Sequence, residues 1–205
     1  MHEKIKQFFD EFGTEEYNKG DVIIFANMNL KSVYYIVAGS VVQYDIAERG
    51  TRAILNTFKP GAFFPMSNAI NATDTPYFYE ASDQVKVKKA PAARVVEFIK
   101  NNPDVTFDLL QRIYRGTDGV LERLSEIMQG DAESRVLREI DIIEKRFGYE
   151  PISGGAHQLL KKLPEMELAE RTGLARETVS RAIKKLKASG RLRVQKGYFI
   201  ISQSK

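Results

Sequence analysis

Cysteine is absent from the sequence, and only two of the 205 residues are histidine. Without cysteine the chain has no disulfide, no thiolate metal site and no cysteine-ligated iron–sulfur cluster. The two histidines, His2 and His157, cannot by themselves supply the clustered ligands of a metal-dependent enzyme built on a β-barrel. An enzyme is therefore not expected, and a binding or regulatory protein is favoured.

Long apolar segments are absent as well. No apolar run approaches the ~18 residues that a membrane-spanning helix needs. The first residues, MHEKIKQFFDEF, mix charged with apolar side chains, unlike a secretory signal. Together with the lack of cysteine, these patterns predict a cytoplasmic protein that does not enter a membrane.

Basic residues are concentrated near the C-terminus. Residues 161–205 carry 12 basic and four acidic side chains, whereas the first 160 residues carry 19 and 23. This asymmetry indicates a polyanionic partner for the C-terminal part alone, with a solvated basic face as the alternative.

The first half of the sequence has the pattern of a β domain. Between residue 17 and about residue 90, short runs rich in Val, Ile, Tyr and Phe are separated by turn residues at intervals of roughly 8–12 residues. This spacing is typical of a sandwich, a roll or a small barrel. A short helix over Ala92–Lys100 is predicted to follow, ending before Asn101-Asn102-Pro103.

A long helix is predicted from about Asp104 to Met128. Its apolar residues recur at alternating steps of three and four, which favours a dimer through this helix over packing on the chain's own β domain. The predicted dimer interface consists of Leu110, Ile113, Thr117, Val120, Leu124 and Ile127, and Leu121 and Met128 widen the stripe. Two glycines within this helix, Gly116 and Gly119, each cost ~1 kcal/mol relative to alanine. They either permit close approach of another backbone or mark a kink.

A second helix is predicted over 132–147, with Asp131 as its N-cap and Gly148 just beyond its end. The next residues, Pro151 to Gly155, are predicted to form a loop.

Residues 165–189 have the pattern of a helix-turn-helix. Pro164 precedes the first helix, which ends at Thr172-Gly173, and the small residue Ala169 lies four positions before Gly173. This spacing suits the motif, because the second helix crosses over a small side chain and the turn needs a glycine with positive φ.

The second helix of this motif, from about Ala175 to Ala188, has two distinct faces. Its apolar face is formed by Val179, Ile183 and Leu186. Its polar face carries Glu177, Ser180, Arg181 and Lys184, with Arg176 at the helix start. Arginine can donate two hydrogen bonds to guanine and glutamate can accept one from cytosine, so this face is predicted to read DNA bases. A charged surface helix without a ligand is the alternative.

Two short alternating segments, 190–194 and 198–201, flank Lys196-Gly197. They predict a β-hairpin that would form the wing of a winged helix, where basic residues can bind phosphates while the helix reads bases.

The segment LAERTGLARETVSR, residues 168–181, resembles the recognition motif of the cyclic-AMP receptor protein and fumarate-nitrate regulator (CRP/FNR) family. The order of β domain, long helix and winged helix-turn-helix is also similar, and YNKGDVIIF and VYYIVAGSV resemble strands of the family's sensor. The resemblance implies an α+β fold in three parts. These are an antiparallel β-roll sensor like a cyclic-nucleotide-binding domain, with flanking short helices, over 1–102, a dimerisation helix over 103–130 and a winged helix-turn-helix over 131–205.

This resemblance also implies a function and site residues. It implies a transcription regulator that binds an inverted-repeat DNA operator as a homodimer, with RNA polymerase as a further partner if the protein is an activator. By position, it assigns base contacts to Arg176, Glu177, Ser180 and Arg181, and a phosphate contact to Thr178. Three lysines, Lys184, Lys185 and Lys196, are predicted to contact phosphates because of their charge.

The predicted sensor departs from the family's cyclic-AMP-binding members. Those members carry Gly-Glu followed by Arg-Ser, whereas Pro65-Met66 and Thr75-Pro76 stand at these positions. Burying a cyclic phosphate without an arginine partner is costly, so cyclic AMP is not expected to bind in the usual way. Haem is not expected either, because lone histidines at residues 2 and 157 are poor candidates for its axial ligand, and no other cofactor is identified.

An effector in the roll, if there is one, is expected to contact Phe64, Met66, Thr75, Tyr77, Val120 and Leu121. Two alternatives stay open. The chain can be a small-molecule- or partner-binding β-roll module that has lost DNA binding, or its regulation can be independent of any effector.

Overall fold

The computed structural model describes residues 2–48, 50–152 and 155–202. It divides the chain into two compact units, with the division between Ile113 and Tyr114. The division falls within one long helix, so each unit contains part of that helix.

The first unit is a roll of two antiparallel β-sheets with short helices at its ends. Its strands are β1 (Thr14–Tyr17), β2 (Val22–Ile24), β3 (Ser32–Ala38), β4 (Val41–Ile46), β5 (Arg52–Phe58), β6 (Phe63–Phe64), β7 (Phe78–Ala81) and β8 (Val85–Pro91). Its short helices are α1 (His2–Asp10), α2 (Met66–Asn71) and α3 (Ala92–Lys100). The strand orders are β1-β8-β3-β6 in one sheet and β2-β7-β4-β5 in the other.

Strand β3 shows why these residues form a layered core. Successive side chains of a strand point to opposite faces, and both Val33 and Tyr34 are buried. Tyr34 lies in the cluster between the two sheets, where the Phe64 ring stacks on those of Tyr34 and Tyr79 at centroid distances of 5.7 Å and 5.2 Å. Val33 lies in a second cluster that α1 and α3 help to form. Each fully buried apolar side chain contributes about 1.5–3 kcal/mol, so two covered faces make β3 the centre of the unit.

Helix α4 (Pro103–Gln129) is continuous through Gly116 and Gly119, and the structure therefore shows no break at either glycine. Its N-terminal end is anchored in the first unit, because Val105 is fully buried and Arg112 donates to the carbonyl oxygen of Gly61 at 3.2 Å.

The second unit contains the C-terminal half of α4 and a small α+β domain. The helices of that domain are α5 (Ala132–Phe147), α6 (Glu165–Thr172) and α7 (Arg176–Ala188). Its strands are β9 (Tyr149–Ile152), β10 (Ala156–Leu159), β11 (Leu192–Gln195) and β12 (Tyr198–Ser202), in the antiparallel order β11-β12-β10-β9. Asp131 caps α5 as predicted, accepting from the backbone N–H of Ser134 at 2.8 Å, and this bond holds the pKa of its carboxyl below the ordinary value.

The prediction of a loop over Pro151 to Gly155 is corrected by the structure. Pro151 and Ile152 belong to β9, which pairs with β10, while Ser153 and Gly154 lie outside the described residues. Proline is tolerated here because β9 is an edge strand, where a missing N–H need not break a ladder bond. His157 is likewise a strand residue, stacked on the Tyr149 ring at 4.0 Å.

Candidate nucleic-acid interface

The turn between α6 and α7 is centred on Gly173. Its φ is 66°, in the left-handed region that favours glycine, and its N–H donates to the carbonyl oxygen of Ala169 at 2.9 Å. Ala169 is 7% exposed and packs in the same core cluster as the buried residues of α7. A small side chain at that point lets the two helices cross closely, so the helix-turn-helix predicted from the sequence is present.

One face of α7 anchors it to the core of the second unit. Val179, Ile183 and Leu186 are buried there as predicted. Ala182 is buried with them and was not predicted, because alanine occurs equally well on either face of a helix. These contacts fix the rotation of α7 about its axis, and that rotation decides which side chains face outward.

The outward face of α7 carries the predicted base-contacting residues. Arg176, Glu177 and Arg181 are exposed, and Ser180 is half-buried. A helix has 3.6 residues per turn, so Glu177 and Arg181 lie about one turn apart on the same side. Arg181 donates a long hydrogen bond of 3.4 Å to the hydroxyl of Thr178, the residue assigned to a phosphate. The outward face is therefore polar and accessible.

The three lysines assigned to phosphates occupy different surroundings. Lys184 is exposed on the outward face of α7. Lys185 is also exposed, but its Nζ lies 3.3 Å from Glu133 Oε1 of α5. Lys196 is at the tip of the β11–β12 hairpin.

This hairpin has the geometry of a tight two-residue turn. Gln195 pairs with Tyr198, and the residues between them, Lys196 and Gly197, have φ values of 50° and 83°. Two successive positive φ values are what a type I′ hairpin turn requires. Lys162, which the sequence patterns do not single out, places its Nζ 5.1 Å from the centroid of the Tyr198 ring. It therefore adds a cation next to the predicted wing.

Three charged residues, Lys161, Glu167 and Arg171, form a network of hydrogen bonds at α6. Arg171 is 4% exposed, and its Nη2 donates to Glu167 Oε1 at 2.7 Å, an oxygen that Lys161 Nζ also contacts at 3.0 Å. Burial acts to raise the pKa of Glu167, but the charges of Arg171 and Lys161 outweigh it and the pKa is lowered. Glu167 is therefore a carboxylate that holds two cations against the first helix of the motif.

The predicted dimer interface on α4 is exposed in the single chain. Leu110, Ile113, Val120, Leu124 and Ile127 are between 43% and 58% exposed, and Thr117 is exposed as well. A neighbouring apolar row at heptad spacing, Phe107, Tyr114, Leu121 and Met128, is between 57% and 74% exposed. Phe107 and Tyr114 extend the stripe beyond the sequence prediction, and helical periodicity alone could have found them. A continuous apolar stripe of this length is typical of a surface that is covered by a partner.

Among the residues predicted for an effector pocket, those of the first unit fall in two different clusters. Phe64 is in the cluster between the sheets, with Tyr77 packed against it and fully buried Thr75 bonded to the N–H of Tyr77 at 3.3 Å. Met66 begins α2 and packs in the other cluster, with α1 and α3. Val120 and Leu121 are exposed residues of α4 in the second unit. Whether these residues share an effector stays a prediction.

The buried polar residues of the first unit bear on the prediction about cyclic AMP. Its buried polar residues, within the described residues 2–48 and 50–113, are Ser40, Thr57, Thr75 and Asp108, and none of them is cationic. Pro65 and Met66 offer no carboxylate for a ribose hydroxyl. That cyclic AMP does not bind in the usual arrangement stays a prediction.

The described residues contain no cluster of three or more histidine, cysteine, aspartate or glutamate side chains able to hold a metal ion. None of the described helices combines the length and the apolar character needed to span a membrane.

Two family models match most of the sequence. Residues 14–102 match the cyclic nucleotide-binding domain, and residues 135–204 match the Crp-like helix-turn-helix domain. The chain is 25% identical over 186 residues to the fumarate and nitrate reduction regulatory protein of Salmonella typhi, covering 91% of this chain and 73% of that protein. It is 24% identical over 184 residues to the anaerobic regulatory protein of Haemophilus influenzae, covering 90% and 70%.

Solved structures share the fold over nearly the whole chain. The c-di-GMP responsive global regulator CLP of Xanthomonas campestris is similar with a TM-score of 0.81 and 17% identity, over 100% of both chains. A CooA mutant from Carboxydothermus hydrogenoformans is similar with a TM-score of 0.82 and 18% identity, over 97% of this chain and 86% of that one. The chain contains the two matched domains in this order, and its relatives include fumarate and nitrate reduction regulatory proteins. It therefore belongs to the CRP/FNR family of transcription regulators.

Proposed function

We propose that the protein regulates transcription as a homodimer that binds an inverted-repeat DNA operator, with α7 in the major groove of each half-site. The observation that carries the proposal is the division of α7 into two faces. Its apolar face is buried in the domain core, and its outward face presents Arg176, Glu177 and Arg181. A helix held in this way can insert into a groove without losing its packing.

The acidic residue on this face favours base reading over simple attraction to phosphates. A carboxylate repels the DNA backbone, so Glu177 on an otherwise basic face would weaken non-specific binding. It is useful if it accepts a hydrogen bond from cytosine N4 or orients a neighbouring arginine. We therefore assign base contacts to Arg176, Glu177, Ser180 and Arg181.

Phosphate contacts are assigned to residues around that face. They are Thr178, Lys184 and Lys196. Lys185 joins them if its ion pair with Glu133 breaks. Lys162 is added because it lies beside Tyr198 of the wing. These residues fix the position of the domain on the duplex and carry no sequence information.

Helix α4 is the proposed dimer interface, because its exposed apolar stripe runs the length of the helix and two-fold dimers are the commonest closed assembly. In this proposal the chain consists of a sensor over 1–102, a dimerisation helix over 103–130 and a DNA-binding domain over 131–205. The sensor is not proposed to bind cyclic AMP in its usual arrangement. RNA polymerase is a further partner if the protein is an activator.

Selection from sheared genomic DNA, followed by footprinting of the bound fragments, tests this function. We expect protection of an inverted repeat whose half-sites are about one helical turn apart, or a multiple of it. Arg181→Ala should weaken binding to the selected site by ~1–3 kcal/mol. Arg94→Ala, which removes an exposed arginine of α3, is the control and should leave binding unchanged. Equal affinity for all fragments would contradict the proposal and favour a module without DNA specificity.

A further inference from the structure

The second unit contains a buried ion pair that is separate from the outward face of α7. Glu139 of α5 is 2% exposed, and its Oε1 accepts a hydrogen bond from Arg123 Nε at 2.6 Å. Arg123 belongs to the C-terminal half of α4. The pair therefore ties the long helix to the first helix of the DNA-binding domain.

The same helix is bonded to the turn of the helix-turn-helix. Arg135, one turn before Glu139 on α5, donates through its Nη2 to the carbonyl oxygen of Thr172, the residue before Gly173. Val136 and Ile140 of α5 also pack in the core cluster that holds the buried face of α7. Helix α5 is thus fixed to α6 and α7 on one side and to α4 through Glu139 on the other.

The covalent link between α4 and α5 is short. Only Gly130 and Asp131 lie between the end of α4 and the start of α5. Arg138 of α5 also reaches α4, at 3.5 Å from Glu122 and 3.9 Å from Glu126, but these groups are partly exposed. Exposed pairs contribute little to a preferred geometry, because water and salt screen them.

Other charges surround the pair. Burial lowers the pKa of the Arg146 guanidinium, and the charges of Arg171 and Arg123 lower it further, whereas Glu139 acts in the opposite sense. Glu139 is therefore a negative charge close to Arg123 and Arg146, while Arg171 has Glu167 as its own partner. Removal of Glu139 alone would leave Arg123 and Arg146 without this compensating charge.

Stability alone does not explain this arrangement. A buried ion pair loses the hydration of two charges, and an apolar pair of similar volume is often as stable or more so. Glu139 Oε2 and Arg135 Nε are both buried without a hydrogen-bond partner among the described residues, which adds to the cost. The pair instead restricts the orientation of α5 relative to α4, since a short hydrogen bond requires its donor and acceptor to be aligned.

We propose that Arg123 and Glu139 are positioning residues, whose ion pair fixes α7 relative to the C-terminal half of α4 and thereby sets the half-site spacing that the dimer accepts. The inference rests on the proposed function, because spacing has meaning only for a dimer bound to two half-sites. In such a dimer α4 carries the two-fold contact, so the joint between α4 and α5 determines how far apart the two copies of α7 lie. Loosening that joint lets each α7 bind its half-site at several spacings.

The test uses the full-length protein and DNA in which one half-site sequence is kept while the spacer is lengthened or shortened by single base pairs. Wild type should prefer one spacer. Glu139→Gln and Arg123→Met should reduce that preference about tenfold or more, equivalent to ~1.4 kcal/mol. Affinity for DNA with a single half-site should not change. Arg138→Met, which removes an arginine that spans the same two helices at the surface, is the control and should keep the preference.

A double variant separates positioning from folding. Arg123→Met combined with Glu139→Met removes both charges of the pair, so its unfolding midpoint should be closer to that of wild type than the midpoints of the two single variants. It should still accept several spacers. A sharp preference retained by the double variant, or a uniform loss at every spacer and at the single half-site, would overturn the inference. A wild type that binds no inverted repeat would instead contradict the proposed function.

Discussion

Replacing Leu124 with glutamate should separate the homodimer. Leu124 is 48% exposed on the single chain and lies in the C-terminal half of the α4 stripe, so about half of its surface remains for a partner to bury. Full burial of a leucine contributes ~1.5–3 kcal/mol, which makes the missing half worth ~1 kcal/mol per protomer. A two-fold axis doubles this loss and brings two carboxylates towards each other in an apolar interface, which adds at least as much again. The dimer should therefore weaken by roughly 4 kcal/mol, about a thousandfold.

Sedimentation over a range of protein concentrations measures this change, and operator binding should fall with it. Ser125→Glu adds the same charge at the next residue, outside the a/d positions, and should leave the dimer intact. If Leu124→Glu were as dimeric as Ser125→Glu, the stripe would not be the interface. A native monomer that binds the operator with full affinity would refute the reasoning as well.

Three further predictions concern the turn, the charged network and the sensor. Gly173→Ala should destabilise the fold by ~1–2 kcal/mol, because its φ of 66° disfavours a residue with a Cβ although the nearest atom would be 3.6 Å away. Denaturant unfolding measures this change in stability. The control is Gly119→Ala in α4, where a Cβ meets open space, and it should be neutral or stabilising. An equal loss of stability in both variants would contradict the turn geometry. The lowered pKa of Glu167 means that its stabilisation is complete above the ordinary value of 4.5 and is lost as the pH falls through the lower folded value. Glu167→Gln should therefore flatten the acid limb of a thermal-stability profile, and an unchanged limb would show that this carboxyl is not coupled to folding. Cyclic AMP should not bind tightly in calorimetry, and a micromolar or lower Kd would overturn the argument from the missing donors.

The sequence predicts those elements whose local patterns agree with their packing. The bounds of α3 and α5 are as expected, because Asn101-Asn102-Pro103 marks the end of α3 and Asp131 and Gly148 mark the two ends of α5. The two faces of α7 are also predictable, since Val179, Ile183 and Leu186 can be buried on one side only if the charged residues face outward. Family resemblance adds roles for those charged residues, which periodicity does not give.

Other features depend on contacts that the sequence does not show. The β9–β10 hairpin is hidden because Pro151 disfavours a strand, and only its edge position makes it acceptable there. Glu139 looks like a surface residue of an amphipathic helix, and its burial depends on Arg123, 16 positions earlier on another helix. Lys162 has no motif of its own and gains significance only from its place beside Tyr198.

The most direct test of the central claim is the selection of binding sites from random DNA by wild type, Glu177→Ala and Lys184→Ala. Wild type should select an inverted repeat. Glu177→Ala should relax the choice at one base pair of each half-site, because a lost base contact changes specificity. Lys184→Ala should keep the same consensus and weaken all sequences alike, with a salt dependence flatter by ~1 unit. An unchanged consensus for Glu177→Ala, or a shifted consensus for Lys184→Ala, would contradict the assignment of α7 as the helix that reads the bases.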